Sequence, residues 1–331
     1  MASDHSLMIL GLALFLDYWI GDPQNWLHPV QIIGWNIQQL TRFFFQHLKN
    51  PLLLKLSGVL LAFLIIFGSA GFSWMMIQGV QYLLAKLSLP TLLETSGNIS
   101  FASVLLASCF AGKSLRQAAE AILQGLTQDN LVQVRQQLSR YVGRDTDNLS
   151  VSEILRAILE TVTENATDGV LAPLFYAMVG LALPGIGSVP LAFAYKAAST
   201  LDSMVGYREA PYTDIGWFSA RLEDVLTWVP CRLVVLTIGL LSGKPGKVWR
   251  VCQRDAIYDP SPNAGWSECA YAVALGIQLG GMNTYQGVVK SKPLLGNPAR
   301  SITPEVIAQA LQLTRYSIFL WVAMVTLSRW L

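Results

Sequence analysis

The chain has 331 residues, 53% of them hydrophobic and 13% charged, with a net charge of +2 and a mean hydropathy of +0.43. Soluble domains carry about 25% charged residues, so this composition predicts an integral membrane protein in a lipid bilayer. The small net charge argues against nucleic acid as a partner.

Residues 7–20 are apolar, without an N-terminal basic region or a small-residue cleavage site. They read as a retained first membrane helix, closed by Gly21-Asp22-Pro23. Residues 52–84 are broken only by Lys55, Gln78 and Gln81, and exceed the roughly 20 residues that a membrane helix needs. Residues 99–112 form a shorter, small-residue-rich segment. The chain then turns polar and helix-like, with Leu115, Ala119, Ile122 and Leu126 at helical spacing. Asp129 starts a second amphipathic helix, to Arg140. Residues 113–168 thus read as a helical insertion at the cytoplasmic face. Apolar runs at 170–183 and 189–198 flank Pro184-Gly185-Ile186-Gly187-Ser188, a turn signal that predicts a re-entrant hairpin. Further apolar runs occupy 233–241 and 318–327, and neither a strand pattern nor an internal repeat stands out. The predicted fold is all-α: a single multi-pass membrane domain of short or re-entrant helices.

Basic residues set the orientation. Lys113, Arg116, Arg135, Arg140, Arg144 and Arg156 lie in one segment, whereas residues 86–98 hold only Lys86. The polar blocks that follow are therefore expected on the cytoplasmic face of the inner membrane. Cys109, Cys231, Cys252 and Cys269 have no paired spacing, and read as buried thiols rather than a zinc or disulfide framework.

Ionisable groups are costly beside lipid and tend to mark sites. Glu160, Glu164 and Asp168 are spaced i, i+4, i+8, which predicts one line of carboxylates on a helix face. Their repulsion calls for a cation, and Mg²⁺ completed by ATP phosphates fits; a solvated face is the plainer alternative. Lys196 is a point charge for phosphate or a snorkelling lysine. Arg221, Glu223 and Asp224 share one turn, where an ion pair would orient the acid. The turn Ser261-Pro262-Asn263-Ala264-Gly265 precedes an apolar helix, and its amides suit an anion. Gly280-Gly281 and Tyr285-Gln286-Gly287 suit close approach of a ligand. His28 stands at the end of the first segment, where it reads as a structural residue or a substrate contact. Ala107 to Ser114 matches a loose Walker A pattern, but no strand precedes it and the match reads as coincidence.

Taken in order, Gly21-Asp22-Pro23, His28-Pro29-Val30, Gly143-Arg144-Asp145, Glu160 through Gly169, Tyr195-Lys196, Thr200-Leu201-Asp202-Ser203-Met204, Ser219 through Asp224, Pro230-Cys231-Arg232 and Ser261 through Gly265 resemble the CobD/CbiB family of cobalamin biosynthesis. The chain departs from the family pattern at Ser199, Glu223 and Thr227. The resemblance implies an adenosylcobinamide-phosphate synthase, which joins a propionate carboxylate of adenosylcobyric acid to (R)-1-amino-2-propanol phosphate, or to aminopropanol, at the expense of ATP. It implies Mg²⁺–ATP at Glu160, Glu164, Asn165 and Asp168, with Lys196 and Arg221 on phosphate. Asp202 or Asp224 would take the amine's proton. His28, Ser261, Asn263 and Gly265 would face the corrinoid or the aminopropanol phosphate. Partners would be these substrates, a second copy of the chain or other membrane proteins of the pathway. A transporter or a non-catalytic corrinoid scaffold is the competing reading.

Overall fold

The computed structural model describes residues 2–21, 28–128, 130–183 and 185–328. Asp22 and Pro23 of the first turn signal, Asp129 and Pro184 lie outside the described residues. In chain order the helices are α1 (Ala2–Trp19), α2 (Pro29–His47), α3 (Pro51–Lys86), α4 (Thr91–Ala107), α5 (Gly112–Thr127), α6 (Leu131–Leu138) and α7 (Val151–Asn165). A π turn (Ala166–Leu171) leads to α8 (Ala172–Ala182), α9 (Ser188–Val205), α10 (Trp217–Leu241), α11 (Pro245–Asp255) and α12 (Ala264–Leu275). Strands β1 (Leu279–Tyr285) and β2 (Val288–Leu295) precede α13 (Pro304–Leu327). Residues 1–113 and 172–226 make most of one compact unit, and residues 114–171 and 227–327 make the other. The segment 113–168, expected as an insertion in a single domain, thus shares a core with the later part of the chain.

In the first unit α3 packs on α9, α1 on α4, and α8 on α9. Asn50 starts α3 by accepting from the Leu52 N–H at 2.8 Å, with Pro51 at the first helical position. Gly58 is required there, because a Cβ would lie 2.0 Å from the Ile215 carbonyl oxygen. The expected helical hairpin is α8–α9, although α9 continues to Val205. Helices α3, α10 and α13 are long and apolar enough to cross a membrane, and α4 with α5 would make a bent fourth span. The polar block 217–232 and the apolar run 233–241 form one continuous helix, α10, not two pieces. Pro230 inside it has no N–H for the Leu226 carbonyl; the Tyr176 hydroxyl donates to that oxygen instead, at 2.9 Å.

In the second unit α7 opens on a Ser150/Glu153 capping box. It buries Ile154, Leu155, Ile158, Leu159 and Val162, and packs on α12 and α13. The all-α expectation is corrected here by an antiparallel hairpin, β1–β2. Its turn places Gln286 at φ 51° and Gly287 at φ 78°, the left-handed pair that matches strand twist. Asp145 accepts from both turn amides, at 2.9 Å (Gln286) and 2.8 Å (Gly287). Gly280 sits at an irregularity in the register, with φ +84° and room for no side chain, since a Cβ would meet the Pro293 carbonyl oxygen at 1.9 Å. Gly280 and Gly287 therefore serve strand and turn geometry.

Gly280→Ala is expected to destabilise the solubilised protein by about 3 kcal/mol or more, through backbone clash and positive φ. Gly246→Ala, in open space on α11, should be neutral or stabilise by up to about 1 kcal/mol. Thermal unfolding of the two variants checks the contrast.

Candidate active site

In the second unit Glu160 is almost fully buried. Arg144 donates to its carboxylate and to Asn283 Oδ1 at 2.8 Å. Arg156, one turn earlier, lies 3.5 Å from the same carboxylate, and donates to the Gly280 carbonyl and to Met282 O at 3.0 Å. The Gly280 amide donates to Glu160 Oε1 at 2.9 Å. Glu160 is thus spent in a structural knot, which takes it out of the expected metal set.

The line of carboxylates does not survive either. After Asn165 the backbone shifts to π register over Ala166–Leu171, which rotates Asp168 away from the i+8 position. Such turns recur at functional sites. Ser267 on α12 pins it: its hydroxyl donates to the Thr163 carbonyl at 2.6 Å and pairs with Thr167 Oγ1 at 2.6 Å. Asn165 is exposed and donates back to Thr161 O at 2.9 Å. Among the described residues no three His, Cys, Asp or Glu side chains converge as a metal site.

The Ser261–Gly265 turn is also self-satisfied. Asp259 Oδ1 accepts from the Ser261 amide at 2.9 Å, and Ser261 Oγ accepts from the amides of Asn263 at 3.2 Å and Ala264 at 3.0 Å. A Cβ at Gly265 would lie 2.5 Å from Asp259 Cβ. Arg232 donates to Pro262 O at 2.9 Å and to Asn263 Oδ1 at 3.2 Å, and its guanidinium lies 4.2 Å from the Trp266 ring centre. Pro230-Cys231-Arg232 and the turn are therefore one structural contact. The amides of Ser261, Asn263 and Ala264, expected to hold an anion, are taken.

Sequence reasoning missed Glu268 and Lys292. Glu268 is fully buried on α12, with Lys292 Nζ 3.2 Å from its Oε1 and no partner for Oε2. Burial pushes its carboxyl up to about 8; Lys292 pulls against this, while Glu164, Glu160 and Asp259 add to the rise. Burial also raises Glu164, with Lys292 opposing. Burial works against the Lys292 ammonium, but Glu268, Glu164, Glu160 and Asp259 outweigh it and hold it above its usual value. The signal for Glu268 was a lone acid inside the apolar run 264–275. Lys292 gave none, because nothing marked its strand.

In the first unit Arg221 and Asp224 come together. Trp217, Ala220, Arg221 and Asp224 lie at i, i+3, i+4, i+7 on α10 and line a cavity of about 340 Å³, closed by Gly206, Tyr207, Arg208 and Thr213. Both Arg221 and Arg208 act electrostatically on Asp224. Glu223 points away from this group: it is buried and accepts from the Tyr195 hydroxyl at 3.4 Å. Lys196 and Asp202, both half-buried on α9, are not among the lining residues. Asp202 lies where a Cβ on Gly206 would be, 2.0 Å from its Oδ1. His28 caps α2, accepting from the Val30 amide at 3.3 Å. In the Walker-like stretch Asp17 accepts from the Gly112 amide at 3.1 Å, and Lys113 donates to Trp19 O at 2.8 Å. The groups that would hold a phosphate there are occupied.

Two tests follow from these environments. Glu160→Gln should cost about 3 kcal/mol, because it leaves two arginines facing a neutral amide; thermal unfolding reads it. Folded Glu268 keeps its proton up to about pH 8, whereas an ordinary glutamate loses it near 4.5. Its stabilising share is complete below pH 4.5 and is lost as pH rises toward 8. Glu268→Gln should therefore flatten the fall in melting temperature between pH 5 and 8.

The family model for CobD/CbiB proteins matches residues 10–314. The chain is 49% identical over 318 residues to "Cobalamin biosynthesis protein CobD" of Synechocystis sp., covering 96% of this chain and 89% of that one. It is 37% identical to "Cobalamin biosynthesis protein CbiB" of Salmonella typhi, covering 94% and 92%, and 37% identical to the CobD protein of Halalkalibacterium halodurans over the same shares. No solved structure matches. A family match over nearly the whole chain and relatives 37–49% identical along its length place the chain in the CobD/CbiB family of cobalamin biosynthesis proteins.

Proposed function

We propose that this protein is a membrane-embedded, ATP-dependent ligase that joins a propionate carboxylate of adenosylcobyric acid to (R)-1-amino-2-propanol phosphate, giving adenosylcobinamide phosphate. The observation that carries the reading is the cavity of the first unit, where Arg208, Arg221 and Asp224 meet beside Tyr207 and Trp217. Two guanidinium forks suit phosphate oxygens, and the aromatic walls suit a flat ring.

The chemistry is an activated acyl transfer. A carboxylate oxygen of the corrinoid acid attacks the γ-phosphorus of ATP, and ADP leaves. The ammonium gives up one proton to a carboxylate such as Asp202, the neutral amine attacks the acyl carbon, and phosphate departs with that carboxylate oxygen and the second proton from nitrogen. Arg208 and Arg221 hold charge on the phosphates. Mg²⁺ carried by ATP needs one or two protein carboxylates, with phosphate and water filling the rest. Asp224, on the Arg221 face, fits that need better than the line from Glu160 to Asp168. The metal would neutralise phosphate charge. The apolar helices α3, α10 and α13 support a place in the cell membrane.

One observation favours transport instead. A crevice of about 740 Å³ in the first unit is lined by His5, Gln78, Gln81, Thr95 and Asn98 beside the α8–α9 turn. The test is incubation of detergent-solubilised protein with the corrinoid acid, aminopropanol phosphate and Mg²⁺–ATP, with products read by mass spectrometry. The ligase reading predicts a new amide that is absent without ATP. No amide, with corrinoid uptake into proteoliposomes, would replace it by transport. Arg221→Ala and Arg208→Ala should each weaken ATP binding about tenfold, and Arg221→Lys should not restore it fully.

A further inference from the structure

We propose that the second unit holds a cation subsite, formed by Glu268, Glu164 and Asp259 with Lys292 at its edge, that binds the ammonium of the amine co-substrate. The inference rests on the ligase reading for the identity of that amine.

Four carboxylates, Glu160, Glu164, Asp259 and Glu268, interact here with three cations, Arg144, Arg156 and Lys292. With all four acids ionised one negative charge is left over; alone, the cluster sheds it by keeping the proton on Glu268, and a bound cation would displace that proton. Both arginines are committed to Glu160, and Lys292 takes one oxygen of Glu268. What remains is unanswered acceptor capacity. Glu268 is 0% exposed, yet its Oε2 has no partner, and Asp259 Oδ2 is likewise buried without one. The Glu164 carboxylate feels the same Lys292, Asp259 and Glu160. A buried acceptor left unpaired costs about 1–3 kcal/mol, more when charged. Two on neighbouring acids, around an excess negative charge, describe a place kept for a donor.

The donor is an ammonium for three reasons. It carries one positive charge, which balances the excess. It offers three N–H donors to separate oxygens. The cluster lacks the convergence of three ligand side chains that a metal ion would use, while Lys292 shows that an ammonium is already accepted here, at 3.2 Å from Glu268. Lys292 is 26% exposed and Glu164 is half-buried, so the cluster opens along those two side chains.

The experiment is calorimetric binding of aminopropanol phosphate to the full-length solubilised protein without ATP. Propanediol phosphate, which lacks the ammonium, and Mg²⁺ alone serve as comparison probes. The amine should bind at least about tenfold more tightly than the diol. Glu164→Gln and Glu268→Gln should each remove most of that preference and leave ATP binding unchanged. Glu164→Gln guards against a folding defect at the buried Glu268. Equal binding of amine and diol, amine binding untouched in both variants, or displacement of the amine by Mg²⁺ would each overturn the subsite. An amide formed by wild type with unchanged amine KM in both variants would sink the subsite and spare the ligase. Amine binding lost in the variants, with no amide made by wild type, would do the reverse.

Discussion

The second unit depends on one buried carboxylate that answers two arginines. Placing Glu160 beside Arg144 and Arg156 costs desolvation energy that a well-packed apolar cluster would not. In return it fixes three pieces of chain that share no regular ladder: the loop carrying Arg144, helix α7 and the start of β1 at Gly280. Asp145, the next residue, then fixes the far end of the hairpin through its turn amides. With the hairpin held at both ends, Lys292 falls opposite Gly281 in the register and meets Glu268 on α12. The charged cluster thus inherits its geometry from the knot.

Much of the helical frame was legible because it rests on local chemistry. The apolar length of α3, its Asn-Pro start and the glycine-rich turn between α8 and α9 are written in adjacent residues. The hairpin was not, since Gly280, Gly281 and Asn283 read as loop and their conformation is imposed by Pro293 and Arg144. The carboxylate line assumed an unbroken α-helix; the π turn that defeats it depends on Ser267, about a hundred residues away. Several motifs that identify the family turn out to secure the fold. Gly143-Arg144-Asp145 latches the hairpin, Pro230-Cys231-Arg232 holds the Ser261–Gly265 turn, and His28 caps a helix. Arg221 and Asp224 were legible as a pair, but Arg208, Tyr207 and Trp217 gather around them only in three dimensions.

The two units offer opposite electrostatics. The cavity of the first unit sets two arginines around one aspartate, which suits a phosphate chain that brings its own metal. The cluster of the second unit has more carboxylates than cations, which suits a protonated amine. An acid–amine ligation requires both kinds of recognition. All four cysteines are buried, a setting that keeps a thiol inert. In the proposed ligation the covalent chemistry passes directly between the substrates, and the protein's share is placement and charge.

The most direct test follows the oxygen. Adenosylcobyric acid labelled with ¹⁸O in its free propionate carboxylate would be converted with ATP and aminopropanol phosphate, and every phosphate product weighed by mass spectrometry. Activation at the γ-phosphorus predicts one ¹⁸O in the inorganic phosphate for each amide formed. Label in AMP, or in no phosphate product at all, would contradict it.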